Sequence, residues 1–290
     1  MTFIGRQISL SQIQFTDTTL PRVNPVDGAL PRQGALLLVD PTHPYAPWGE
    51  VPFTNNTKLV NVASESMGEL NAAESRPNIV TGAGWANNGV VGLVNRTTKG
   101  GLHVMRPHVS PGVSGTRFDV ITGPAFASYA NSNLEHSYFL AFWGRITRRW
   151  LPTTANVATH CGDDSGLTKP SLFTRYGPGR TTNPATTLGS YSEGANFTED
   201  PETFIYQDVA VAALTGTQSY WNVLNSGYTS AARQGSSHIL YGMYLEDLTV
   251  SGRTYGQAHA AIYGKAVQDV LTPGGRYYGD TWTDPATAIP

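Results

Sequence analysis

The 290-residue chain is short of charge: Asp, Glu, Lys and Arg together make up 14% of it, against roughly 25% in an ordinary soluble domain. Lysine is scarcest, with Lys58, Lys99, Lys169 and Lys265 the whole set. The formal net charge of −2 gives no bulk electrostatic case for nucleic acid or an anionic membrane surface. Cys161 is the one cysteine, so no disulfide forms within the chain. No apolar run approaches the ~18 residues a membrane-spanning helix needs, and no basic-then-apolar leader opens the sequence. The expectation is a protein made in a cytoplasm, without an export signal and without insertion into a membrane.

What is present suits a loop-rich β protein. Hydrophobic residues are 40% of the chain, with 31 glycines, 19 prolines and 14 tyrosines. Such a chain buries a sizeable core and faces solvent with amides, hydroxyls and glycine. The length fits one large all-β domain or two smaller ones.

The most informative stretch is His136 to Arg149. Its density of aromatics favours a strand over a helix. Alternation puts Tyr138, Leu140, Phe142 and Ile146 on one face and Phe139, Ala141, Trp143, Arg145 and Thr147 on the other. Both faces begin apolar and one turns polar after Trp143, as expected of a central strand buried on both sides that emerges at its end. Arg145, Arg148 and Arg149 form a small basic cluster there, either pairing with carboxylates at a subunit contact or simply solvated.

Residues 1–77 read differently. Prolines stand at 21, 25, 31, 41, 44, 47 and 52, and Ala35–Val39 is the one compact apolar run among them. Each proline removes a donor and biases its predecessor towards extended geometry. An extended arm is expected, lying on the chain's own body or on a neighbouring subunit; the alternative is a linker. Residues 78–290 form the β domain. Short apolar runs cut by Gly and Asn fill 78–94, 101–105 and 117–121, and Phe126–Tyr129 reads as a continuation of that strand pattern. Thr203–Leu214 fits either strand or helix. His238–Val250 reads as a second strong strand. Thr254, three residues before Gln257, is a capping box that opens a helix with Tyr255, His259, Ile262, Ala266 and Val270 on one stripe, ending at Leu271 before Pro273-Gly274-Gly275.

Catalytic patterns are scarce. There is no Gly-x-Ser-x-Gly elbow and no His-Glu-x-x-His. His103 and His108 flank a proline, which no regular element aligns as a metal pair. His160 and Cys161 are adjacent, so on a strand they point apart, wrong for a thiolate–imidazole pair. Asp163 and Asp164 sit in an Asx-rich turn without the EF-hand spacing. Glu246 and Asp247 face opposite ways on a strand, which argues against a glycosidase pair; Asp247 reads as a cap for the turn after it. No catalytic residue, metal or cofactor is assigned. Tyr176, Arg180, Tyr191, Trp221 and Tyr228 lie in or beside the long irregular region 151–202 and are the candidate ligand-binding residues, through ring stacking on sugars or anchoring of an interface.

The Tyr138–Ile146 strand, with Trp143 near its end, resembles the Trp-bearing strand of concanavalin-A-like (laminin-G-like) jelly rolls. Leu245 to Tyr255, the helix, and the block Gly279-Asp280-Thr281-Trp282-Thr283-Asp284-Pro285 resemble the C-terminus of jelly-roll structural proteins of tailed bacteriophages and prophages. The resemblance covers about the last two-thirds of the chain and has no counterpart for residues 1–60. It implies an all-β concanavalin-A-like jelly-roll β-sandwich, to which the residues themselves add the extended N-terminal arm of 1–77 and one short helix near the C-terminus. It further implies a non-enzymatic virion protein of a tail tip, baseplate or fibre. The implied partners are other tail proteins and copies of itself in a homo-oligomer such as a trimer; the loop aromatics carry an alternative, a module that binds a host surface glycan, and a polysaccharide-degrading tail enzyme is the third reading.

Overall fold

The computed structural model describes residues 29–31, 33–43, 53–65, 78–81, 84–107, 118–121, 124–148, 156–161, 172–176, 204–211 and 237–289. Five strands come first: β1 (Ala35–Val39), β2 (Asn78–Thr81), β3 (Leu93–Arg96), β4 (Leu102–Met105) and β5 (Phe118–Ile121). After helix α1 (Pro124–Ser132) come β6 (Tyr138–Arg148), β7 (Asn156–Cys161), β8 (Leu172–Tyr176), β9 (Phe204–Val211) and β10 (Ser237–Asp247). The chain then forms α2 (Leu248–Ser251), α3 (Tyr255–Val270) and α4 (Pro285–Ala288). The fold is β-rich, and its main element is a curled, six-stranded antiparallel sheet in which β3-β4-β10-β6-β9 lie in order and β1 also pairs with β10.

β10 is the hub. One edge pairs with β6 along its whole length, from Ser237 opposite Arg148 to Asp247 opposite Tyr138. The other edge is shared: His238–Leu240 meet β4, and Met243–Glu246 meet β1. All eleven of its residues are buried. β1 therefore lies on the chain's own body, although it falls within the proline-rich 1–77 segment.

The two faces of β6 divide as alternation requires. Tyr138, Leu140, Phe142 and Ile146 join one core cluster with Leu240, Met243 and Leu245 of β10. That cluster is closed by Ile79 of β2, Phe118 and Val120 of β5, and Phe126 and Ala130 of α1. β2 and β5 form a small antiparallel pair, so two sheets share this core. Phe139, Ala141 and Trp143 join the second cluster, closed by Ala258, Ile262, Ala266 and Val270 of α3 and by Tyr277. The main sheet is thus covered by strands and α1 on one side and by α3 on the other.

A bulge in β10 accommodates the largest core side chain. Leu240 stands opposite Gly144 and Gly242 opposite Trp143, so one extra residue sits on β10. A Cβ on Gly242 would lie 2.0 Å from the Trp143 ring, so only glycine leaves room for the indole there.

Three expectations are corrected. Phe126–Tyr129 is helical, within α1, because Pro124 at the first position presets helical φ and Phe126 and Ala130 bury one face. The second strong strand ends at Asp247, not Val250: the Asp247 carboxylate accepts from Val250 N–H at 3.0 Å and turns the chain into α2. The buried stripe of α3 is Ala258, Ile262, Lys265, Ala266, Asp269 and Val270, and Tyr255 and His259 sit at its edge. The Thr254–Gln257 capping box and the Leu271 C-cap are as expected. Thr203–Leu214, open between two readings, contains β9.

Candidate functional site

Glu246 and Asp247 are fully buried and face opposite ways. Glu246 accepts from Tyr244 Oη at 2.8 Å, from Arg253 Nε at 2.8 Å, and closely from Arg253 Nη2. Burial works against the Arg253 charge, but the hydrogen bonds and charge of Glu246 outweigh it and hold the guanidinium above its ordinary range. Arg253 also donates to the Ala29 carbonyl at 3.1 Å. Asp247, besides capping α2, accepts from Tyr129 Oη at 2.8 Å and meets His136 Nδ1 at 2.6 Å. Both carboxylates are fixed by the chain's own donors.

A second charged group holds the closing block to the sheet. Arg276 bridges Asp40, just after β1, and Asp269 of α3, each at 2.7 Å. Lys265 meets the same Asp269 oxygen at 2.8 Å. Burial opposes the Asp269 charge, yet Arg276 and Lys265 together hold its carboxyl below the ordinary range. Tyr277 is fully buried, with its hydroxyl between Thr42 and Asp40 and its ring 4.4 Å from that of Tyr241. Asp280 accepts from Lys99 N–H at 2.7 Å and from Tyr241 Oη at 2.9 Å. Asp284 caps α4, with Pro285 next. Arg145 lies over the Trp282 ring, 5.9 Å from its centroid, and Arg148 donates to the Ile289 carbonyl at 2.7 Å. Two of the three arginines at the end of β6 are thus turned onto the chain's own C-terminal segment.

The third group lies at the seam between β9 and α3 and is partly open to solvent. Asp208, 4% exposed, accepts from Tyr255 Oη at 2.6 Å and Tyr206 Oη at 3.0 Å, and makes a close contact with His259 Nδ1. Tyr255, His259 and Tyr263 follow one another at four-residue spacing on α3, one face of the helix. The Tyr255 and His259 rings stack at 5.9 Å, and His259 and Tyr263 at 5.6 Å with planes only 7° apart. Tyr206 stands nearly perpendicular to both His259 and Tyr263. Burial, then the Asp208 charge and hydrogen bond, push the Tyr206 phenol far up, so it remains a neutral donor.

Of the residues expected to bind ligand, Tyr176 is the last residue of β8, with its backbone opposite Asn156 of β7. Arg180, Tyr191, Trp221 and Tyr228 lie outside the described residues, as do His108, Arg149, Asp163 and Asp164. His160 and Cys161 are consecutive strand residues in β7. His103 is buried in β4 with Nε2 2.8 Å from Thr147 Oγ1, and burial lowers its pKa to about 3. The Asp208 group was missed because Asp208 lay in a stretch open between helix and strand, 51 residues from His259. The signal that could have found it was the Tyr-x3-His-x3-Tyr spacing on a helix already read as starting at Thr254. No family model matches the chain, and no curated protein matches it significantly. No helix among the described residues is long and apolar enough to cross a membrane.

Proposed function

We infer that the chain is a non-enzymatic structural protein of a tailed-bacteriophage virion, working in the tail tip, baseplate or fibre. In this reading the main sheet and the β2–β5 pair belong to a concanavalin-A-like jelly roll, with the core they share as its interior. The observation that carries the reading is the use made of Gly279–Pro285, the block that bears the resemblance. Its side chains are bound into the body: Asp280 to the turn at Lys99 and to Tyr241, Trp282 to Arg145, Asp284 to the start of α4. Such a block serves architecture. The buried carboxylates Glu246 and Asp247 are likewise consumed internally, as suits a protein whose work is assembly.

Assembly is through a homo-oligomer, a trimer in the first instance, and through other tail proteins. β1 is committed to the chain's own sheet, so contacts with neighbours fall to the segment that precedes it. The test is sedimentation velocity on the full chain and on a variant lacking residues 1–28. The expected result is an oligomer that becomes a monomer on truncation, with unchanged thermal stability. A full chain that stays monomeric at micromolar concentration overturns the assembly role. Immunolabelling of intact particles then locates the protein, and absence from the tail overturns the virion assignment.

A further inference from the structure

The β9–α3 seam is built differently from the rest of the sheet's covering. Ala258, Ile262, Ala266 and Val270 already dock the helix by apolar contact. The seam adds a nearly buried carboxylate that receives two phenols and an imidazole. Removing Asp208 from water is costly unless its hydrogen bonds are complete. What the arrangement achieves is orientation: three of the four rings are pinned through their polar atoms to one anchor, and Tyr263 is held against two of them by stacking and edge contact. The result is a rigid aromatic surface prepared before any ligand arrives.

That surface has free valences. With Nδ1 engaged by Asp208, the His259 Nε2 remains on a side chain that is 42% exposed. Tyr263 is 43% exposed, and among the described residues its hydroxyl has no hydrogen-bond partner. An exposed ring beside a donor–acceptor nitrogen and a free hydroxyl matches a molecule with an apolar C–H face rimmed by hydroxyls. A pyranose ring has that form.

We propose that Tyr263, His259 and Tyr206, oriented by Asp208 and Tyr255, form a saccharide-binding site at the β9–α3 seam. A pyranose stacks on Tyr263 and exchanges hydrogen bonds with its hydroxyl and with His259 Nε2. Asp208 and Tyr255 are positioning residues: they hold the imidazole and rings and do not touch the sugar. The site rests on the packing of β9 against α3 and is independent of the virion role, so either can fail without the other.

The test is saturation-transfer-difference NMR on the full chain with the methyl pyranosides of glucose, galactose, mannose and N-acetylglucosamine. At least one is expected to receive saturation. Tyr263→Ala is expected to weaken it about tenfold, and Tyr263→Phe about fivefold through loss of the hydroxyl alone. Tyr278→Ala, which removes a tyrosine that is 45% exposed at another place, is expected to leave binding unchanged. Tyr263→Leu, with unaltered thermal stability, guards against a folding artefact and is expected to bind like Tyr263→Ala. Saturation of none of the four sugars, retention of binding in Tyr263→Ala and Tyr263→Leu, or equal loss in Tyr278→Ala overturns the proposal.

Discussion

Removing the Arg253 side chain should reveal how much of the fold depends on pairing a charge it has buried. Glu246 is fully buried, and Arg253 supplies two of its hydrogen bonds from a side chain that is 18% exposed. Arg253→Ala leaves a carboxylate out of water, held among the described residues by Tyr244 and Ser251. Breaking a buried pair from one side costs about 3–5 kcal/mol. For a chain of this size that lowers the melting temperature by about 10 °C. Glu246→Gln removes the charge instead and keeps the shape. The double variant then carries neither charge, so its cost falls short of the sum of the singles by at least about 1 kcal/mol. Urea unfolding measures all four forms, with the slope checked for constancy. An Arg253→Ala cost under about 1 kcal/mol, or strict additivity in the cycle, would refute the reasoning.

Three further outcomes follow from the same structure. His103 is kept neutral when folded, with its pKa lowered to about 3, while in the unfolded chain it takes up a proton below about 6.5, so stability is full above that value and falls as the pH drops towards 3. His103→Leu should flatten this part of the acid-unfolding profile, which spans up to about 5 kcal/mol, and an unchanged slope would exclude His103 as its source. Gly242→Ala drives a methyl into the Trp143 ring and should cost about 1–3 kcal/mol by calorimetry, with partial recovery in a Gly242→Ala/Trp143→Leu double variant. Thr254→Ala removes the capping box of α3 and should cost about 1 kcal/mol in the same measurement.

Much of the fold was legible because the relevant signals are local. The two faces of β6 follow from alternation alone, and each apolar residue assigned to a face reached its core cluster. The start and end of α3 follow from a cap whose partners are three residues apart. The misread places involve competition between local preferences and distant partners. Phe126–Tyr129 has strand-like composition, but Pro124 and the apolar face of α1 decide for a helix. His238–Val250 carries apolar residues on both sides of Glu246-Asp247, and the Asp247 side chain, bonding to Val250, marks where the strand stops. The Asp208 site was missed for a different reason. The Tyr255–His259–Tyr263 spacing on α3 was a local signal, but Asp208 and Tyr206 join it from a strand through single side chains, and that pairing appears only once β9 and α3 are side by side.

The pairing of β1 with β10 has a consequence for biosynthesis. Ala35 meets Glu246, so β1 must wait until roughly 200 further residues have been translated before its backbone finds a permanent mate. β6 waits in the same way for the strand that flanks it on that side. Until then the nascent chain carries oily, unmated ribbons past the ribosome exit, which makes folding slow and exposes it to misassociation. A premature stop anywhere before Ser237 would remove the common neighbour of three strands at once, leaving a product for chaperones and proteases rather than a shortened but functional molecule.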